Sequence, residues 1–509
     1  MKHASQVAVF LASVLVVTSA FGATYYISYD TGSDENTSTQ AQSKSSPWAH
    51  LPCMANAMGN AAAYRPVPGD VFVLKGGETW GNASFPCNWK WSGASGIRIT
   101  ITVDQNWFTG ATWSRPIWDA EEIAIGGARN MFLWFNLRAI QYVTFSGIEM
   151  RGHHWDGNPA FGTCAHIMGT GASFITLDNL YIHAWTHGTA AEGTRDVCKI
   201  LLGDSNVPNM KGSVLQNSVI DGSDSTGGGD SNSNYLWPSF ISNVIRDVPN
   251  AMIVKGNGTI SGNTISNCRL SFDGRNHPNL LLSLGASIPH TIYIHDNVFR
   301  DYVAGCESAF IAGQNATAYV WNNIWYNNRG GNPPEFNQQG PNPPNVYFWN
   351  NTIVAAPGKF CVRKGHGRDK PAVIKIQKNH CITTERTAFD PAIGAWSLTI
   401  DHNVIQTPSE AQSDGYTANQ EFPYSSHNAR SATNASTGIV DLPSCDGPFA
   451  SLCEDTSYGQ ELDASRKMIV GAARKKINRS AGGSRNAGAY QFPGNHPNSL
   501  TPPFSLSIH

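Results

Sequence analysis

Charge is scarce in this chain: Asp, Glu, Lys and Arg make up 14% of its 509 residues, and the formal net charge is −2. A nucleic-acid partner calls for a basic stripe that neutralises phosphates, and its absence excludes that class of function. Long apolar runs are missing beyond the first two dozen residues, and nothing downstream approaches the roughly eighteen apolar residues of a membrane span. No Cys-x-x-Cys or Cys/His zinc spacing occurs, so thiolate metal binding is not expected. The glycines of KGNGTISG follow a strand-like run but open no helix, which rules against a phosphate cradle. A helical apolar period is absent from the body of the chain.

What is present is a short repeat: alternating apolar residues, a polar residue, Asn, then another apolar stretch. It reads FITLDNLYI at Asn179, SVLQNSVI at Asn217, SFISNVI at Asn243, GTISGNTI at Asn263 and TIYIHDNVF at Asn297. It continues as AYVWNNIW at Asn323, NVYFWNNTI at Asn351, VIKIQKNHCI at Asn379 and LTIDHNVI at Asn403. Intervals of about 20 to 38 residues mark stacked units rather than separate globular domains. Period-two alternation makes each flank a short strand. Asn suits the bend between them, because it tolerates the left-handed conformation and its amide can bond to backbone. Stacked at one bend, the amides of Asn179, Asn217, Asn243, Asn263, Asn297, Asn323, Asn351 and Asn403 are expected to form a ladder.

Each Asn unit is preceded by a second apolar stretch, often ending in Gly: AHIMG to Gly169, CKILLG to Gly203, AMIVKG to Gly256, LLLSLG to Gly285, SAFIAG to Gly313 and CVRKG to Gly365. A coil then holds three short strands, and coils repeated with no helix between them argue for a parallel β-helix. No coil buries its inner face alone; stacking supplies the core.

This pattern resembles the right-handed parallel β-helix superfamily of pectate lyases and related polysaccharide-acting proteins. YYISYDTGSDENTST, SPWAHLPCMANAM and PGDVFVLKGG look like the opening strand, capping helix and first coil of secreted members. RNAGAYQF, residues 485–492, is similar to a closing segment of many bacterial ones. The expected fold is an all-β, right-handed parallel β-helix with a short N-terminal capping helix and an irregular C-terminal segment. Residues 1–22 read as a signal peptide, 23–406 as the β-helix and 407–509 as a cap and tail. The leader has Lys2 and His3, an apolar core over 7–17 and small residues at Thr18, Ser19 and Ala20. Ten cysteines, all beyond it, fit an oxidising, extracytoplasmic compartment. Position in the chain and on adjacent coils suggests the pairs Cys53–Cys87, Cys164–Cys198, Cys268–Cys306, Cys361–Cys381 and Cys445–Cys453. The protein is expected to be a secreted monomer without a membrane span.

In the superfamily the polymer lies along the outside of one parallel sheet, flanked by the loops leading into it. Carried over, that surface is the set of Gly-ended strands, where alignment on the glycines places Lys255, Gln339 and Lys364 at equivalent positions. The next loop, SFDGRNHPNLL, supplies Asp273, Arg275 and His277; other loops supply Asp247, Glu307 and Glu335. A lyase acting on a uronic acid must neutralise the C6 carboxylate, remove the C5 proton and expel the C4 oxygen. The resemblance implies Lys255 as base, Arg275 as carboxylate clamp, His277 beside them, and Gln339, Lys364 and Glu307 on the substrate. Asp247 and Asp273 are candidate ligands for Ca²⁺. The chain lacks the Arg-His pair of alginate- and chondroitin-type lyases, and the paired aspartates of the galacturonan hydrolases are not evident. His153, His154, Asp156, His183 and His187 read either as loop histidines or as a metal site. Asp221, Asp224 and Asp230 share a Gly-rich loop without EF-hand spacing. Outward-facing members of Trp185, Trp237, Trp321, Trp325, Tyr326, Tyr347, Phe348 and Trp349 can stack on sugars, and inward ones are core. Two functions stay open: a polysaccharide lyase acting on an acidic polymer, and a non-catalytic scaffold that binds glycans or protein partners. A groove of converging Lys, Arg and carboxylates on the Gly-ended sheet favours the first; a flat or apolar sheet favours the second.

Overall fold

The structure is a computed structural model. It describes residues 22–123, 131–155, 164–187, 199–204, 209–224, 234–248, 250–267, 279–283, 288–301, 313–326, 334–336, 342, 344–349, 351–355, 359–364, 373–377, 379–382, 397–401, 404–406 and 429–431. Among these, the alternating segments form parallel strands throughout. Sheet A has 13 strands running from Thr24–Ile27 to Ser397–Asp401, and sheet B has 13 from Thr79–Trp80 to Ala429–Ser431. Sheet C has seven, from Cys87–Asn88 to Asn279–Ser283, with Glu335–Phe336 and Arg363–Lys364 pairing separately. The chain passes from A to B to C and back to A, so each sheet grows by one strand per coil. This is the expected parallel β-helix, and right-handed crossovers are the rule between parallel strands. Sheet B continues one strand past residue 406, because Ala429–Ser431 pairs with Val404–Gln406.

Stacking turns each inward position into a continuous row. In sheet A, Ile101, Phe145, Leu177, Leu215, Phe240, Ile260, Ile294, Val320 and Phe348 are in register and buried. In sheet B the row includes Met150, Ile182, Ile220, Ile245, Ile265, Phe299, Trp325 and Ile353. Phe299 and Trp325 stack with centroids 5.0 Å apart. A strand of three residues buries little by itself; the row makes that burial collective.

The bend between sheets A and B divides between two residues the work expected of one Asn. The first adopts positive φ: Asn179 (50°), Asn217 (52°), Ser242 (58°), Gly262 (64°), Asp296 (57°) and Asn322 (57°). The second points inward and carries the ladder. Asn243, Asn263, Asn297, Asn323, Asn351 and Asn379 are buried, and each side chain bonds to the next from Asn243 to Asn379. This corrects the expected ladder: Asn179 and Asn217 stand one residue earlier, at the left-handed position, where Leu180 and Ser218 take the inward place. Asn379 belongs to the ladder, and Asn403 lies outside the described residues.

The N-terminal end is closed by a short helix, Gly59–Ala63, with Ala61 buried, and by an aromatic lid. Tyr25 stacks on Trp48 at 5.1 Å and on Phe72 at 5.3 Å, with Tyr64 against all three. Disulfides Cys53–Cys87 and Cys361–Cys381 form as expected. The other three expected pairs include residues outside the described set. No helix among the described residues is long and apolar enough to cross a membrane.

Candidate functional site

Three exterior faces carry the chemistry-bearing side chains. Sheet C, the Gly-ended one, contains Asn250–Val254, and Lys255 follows at the corner to sheet A beside Gly256, whose φ is 92°. Val254 is in register with Ser283, as the glycine alignment requires. Lys255 is half-buried. His290, buried at the start of the sheet A strand His290–His295, is pushed toward the neutral form first by burial and further by the charge of Lys255. Asp247 stands at the corner from sheet B to sheet C, after Val244–Arg246, and accepts from Asn267 Nδ2 at 3.4 Å. The strand Asn250–Val254 lies between Asp247 and Lys255, a span of about 16 Å. The base and metal-ligand candidates thus sit at opposite edges of sheet C.

Arg275, His277, Asp273, Glu307 and Gln339 lie outside the described residues. The main chain of Lys364 is in register with Phe336, three positions before Gln339, so the expected equivalence of Lys364 and Gln339 is not the observed one. Glu335 is buried and ion-paired with Arg363. Along sheet C, Met168, Leu202, Tyr235 and Ile253 are in register, with Met168 and Ile253 buried. Two amides, Asn88 and Asn136, joined at 3.1 Å, precede them in the stack. No group of three His, Cys, Asp or Glu that could hold a metal ion is found among the described residues. His154 and Thr186 are bonded at 2.7 Å across a two-strand pair, while His153 stacks near His166 at 3.8 Å between centroids.

Sheet B presents a lattice of ion pairs. Arg151 bridges Asp119 at 2.8 Å and Glu149 at 3.4 Å, and His183 lies between Glu149 at 3.2 Å and Asp224 at 2.6 Å. Arg246 pairs with Asp221, its registered neighbour. Burial opposes charge on His183, but hydrogen bonds to Glu149 and Asp224 outweigh it and raise its pKa. The hydrogen bond from His183 leads the effects that hold Glu149 below the usual carboxylate range. Each of these cations already has a carboxylate, so an anionic polymer would have to displace it.

Sheet A carries two aromatic rows on its outer face. Tyr293, Tyr319 and Tyr347 are in register and stack at 5.6 and 5.0 Å. Two residues on, His295, Trp321 and Trp349 stack at 4.2 and 5.2 Å. Edge contacts at 6.4 and 6.3 Å lock Tyr293 to Trp321 and Tyr319 to Trp349. Stacked rings cover one another's faces, so only the ends of a row offer a face to a ligand. At one end Lys375 lies over Tyr347 at 5.6 Å. At the other end the registered neighbours of Tyr293 and His295 are Thr259 and Ser261, too small to cover a ring. Beyond them come Ser239, which accepts from Thr259 N at 3.1 Å, and Ile241. The result is an aromatic wall beside a low, hydroxyl-bearing shelf. Gln216, bonded to Asp178 at 3.0 Å, borders the far side. Three strand spacings from Gln216 to His295 give about 14 Å, room for a sugar ring against the wall.

Sequence reading named Trp321, Tyr347 and Trp349 but missed Tyr293, Tyr319 and His295. The signal was available in TIYIHDN, AYVWNN and VYFWNN, where aromatics or His recur two and four places before the ladder Asn. Trp325, four residues after Trp321, faces inward and stacks on Phe299, so the two do occupy different environments.

No family model matches this sequence, and no curated protein matches it. Among solved structures, the chain is similar to XylC in complex with xylose, at 12% identity and a TM-score of 0.45, over 82% of this chain and 88% of that one. It is similar to GH136 lacto-N-biosidase from Eubacterium ramulus, at 13% identity and a TM-score of 0.41, over 76% and 68%. Pectate lyase Pel9A aligns at 13% identity and a TM-score of 0.38, over 93% and 97%.

Proposed function

We propose that this β-helix is an extracytoplasmic, polysaccharide-directed protein that holds a glycan against the open aromatic step of sheet A. The observation that carries this reading is the end of both rows, where, among the described residues, the small side chains of Thr259 and Ser261 are the registered neighbours of Tyr293 and His295. A pyranose offers an apolar C–H face to a ring and hydroxyls to a shelf, which matches the chemistry of this corner. Affinity electrophoresis through a panel of neutral and acidic polysaccharides tests the reading: retardation by at least one polymer is expected, and its loss in Tyr293→Ala with the fold intact. Migration unaffected by every polymer overturns it.

A second reading is β-elimination on a uronate polymer, with Lys255 as base, Arg275 as clamp, His277 beside them and Gln339, Lys364 and Glu307 on the substrate. Its supporting observation is the half-buried Lys255 fixed at the end of a core strand. Ca²⁺ held at Asp247 would stand a strand's length from Lys255, about 16 Å, and would serve a neighbouring unit of the polymer, not the sugar that Lys255 deprotonates.

A further inference from the structure

The start of the β-helix contains a buried carboxylate whose neighbours are all neutral. Asp70 precedes the strand Val71–Leu74 and is buried. Its Oδ2 accepts from Tyr64 Oη at 2.8 Å and Val67 N at 2.9 Å, and its Oδ1 accepts from Ala23 N at 2.9 Å. Tyr25 Oη completes the group, 2.6 Å from Tyr64 Oη. A carboxylate removed from water is costly to keep ionised unless a cation stands beside it. Ala23 is also the residue that follows the expected leader, with Ala20 and Gly22 as the small residues at the third and first positions before it. Gly22 itself crosses the chain so closely that a Cβ there would lie 1.8 Å from the carbonyl carbon of Gly69.

We infer that cleavage between Gly22 and Ala23 creates an α-ammonium group already in place to form an ion pair with the buried Asp70. In the step, water adds across the Gly22–Ala23 amide under a leader peptidase. The leader departs with the Gly22 carboxylate, and Ala23 keeps the amine, which takes a proton at neutral pH. The ammonium then supplies the counter-charge that the amide N–H could not. Export and completion of the N-terminal cap become one event: the edge strand Thr24–Ile27 is pinned through Ala23 to the strand it pairs with. This inference is independent of what the exterior faces bind.

The titratable groups facing Ala23 N are Asp70 and, through it, Tyr64 and Tyr25. Burial, first among the causes, pushes both tyrosines above their ordinary range, so they stay neutral where the amine titrates. The experiment uses the full-length gene exported from a heterologous host. N-terminal sequencing and intact mass should give a chain starting at Ala23; a different start overturns the inference. The α-amine, followed by the pH dependence of its acetylation, should titrate about one unit or more above the usual 7.7–8.0. Asp70→Asn, with sheet content checked by circular dichroism, should return it to the ordinary range. Should that variant fail to fold, the wild-type titration decides alone: an ordinary value in the folded protein overturns the ion pair.

Discussion

Asn263 donates its side-chain amide to Asn297 Oδ1 at 2.9 Å and its backbone N–H to the same oxygen at 3.0 Å. Asn297 Nδ2 in turn donates to Ile260 O at 2.8 Å and to Asn323 Oδ1 at 2.9 Å. Removing the Asn297 side chain therefore takes this partner from two donors, Asn263 N and Nδ2, and from Ile260 O, while Asn323 Oδ1 keeps the backbone N–H of residue 297. Asn297→Ala should cost about 3 kcal/mol or more, at about 1–3 kcal/mol per unsatisfied buried group. Asn217→Ala, at the exposed left-handed position, should cost only about 1–2 kcal/mol. Urea denaturation of both variants checks the pair; equal losses would show that the inward ladder has no special role.

That division of labour shows what the sequence made legible. Nine Asn-centred segments gave the coils, the three strands per coil and the Gly-ended sheet, because alternation reports burial directly. The placement of Asn179 and Asn217 was not legible, because Asn suits both the left-handed residue and the inward one after it. Deciding between them requires the register, which Ser218 and Leu180 settle by occupying the inward place. The exterior was harder to read. Glu149 and His183 stand 34 residues apart on successive coils, and only stacking makes them neighbours. Lys255 and Arg275 belong to successive Gly-ended units, and strand adjacency alone does not fix where a loop carries its side chains.

The His183 site should make stability depend on pH. Its pKa is raised above 6.5, so its contribution is complete below that value and is lost as pH rises through the folded-state pKa. Glu149 is held below 4.5, so its contribution is present above that value and fades as pH falls through its folded pKa. Between these limits both are in force. The difference in melting temperature between wild type and His183→Gln should be largest near about pH 5.5 and smaller at about pH 9. A difference constant across that range would remove the imidazolium from the account.

The two aromatic rows predict a contrast between their ends and their middles. Tyr293→Ala takes away an open ring face and should weaken glycan binding about five- to tenfold, corresponding to about 1 kcal/mol of stacking, with little change in melting temperature. Trp321→Ala empties the interior of a stack held at 4.2 and 5.2 Å and should lower stability instead, by about 3–5 kcal/mol. Calorimetric titration and thermal melts on the same samples separate the two effects. If Trp321→Ala weakened binding while Tyr293→Ala did not, the step would be misplaced.

The elimination reading makes a different demand. Lys255 is anchored behind Asn250–Val254, whose Met252 and Val254 are core residues, so shortening its side chain should leave the coil intact. A solvated lysine changed to alanine alters stability by only about half a kcal/mol. Loss of a catalytic base, by contrast, lowers turnover by about two to four orders of magnitude. Lys255→Ala and Arg275→Ala should each do so on any uronate polymer from which the wild type releases an unsaturated, ultraviolet-absorbing product. Wild-type turnover in both variants would end the elimination reading and leave glycan binding at Tyr293 and His295 untouched, because that step lies on sheet A and shares neither residue with it.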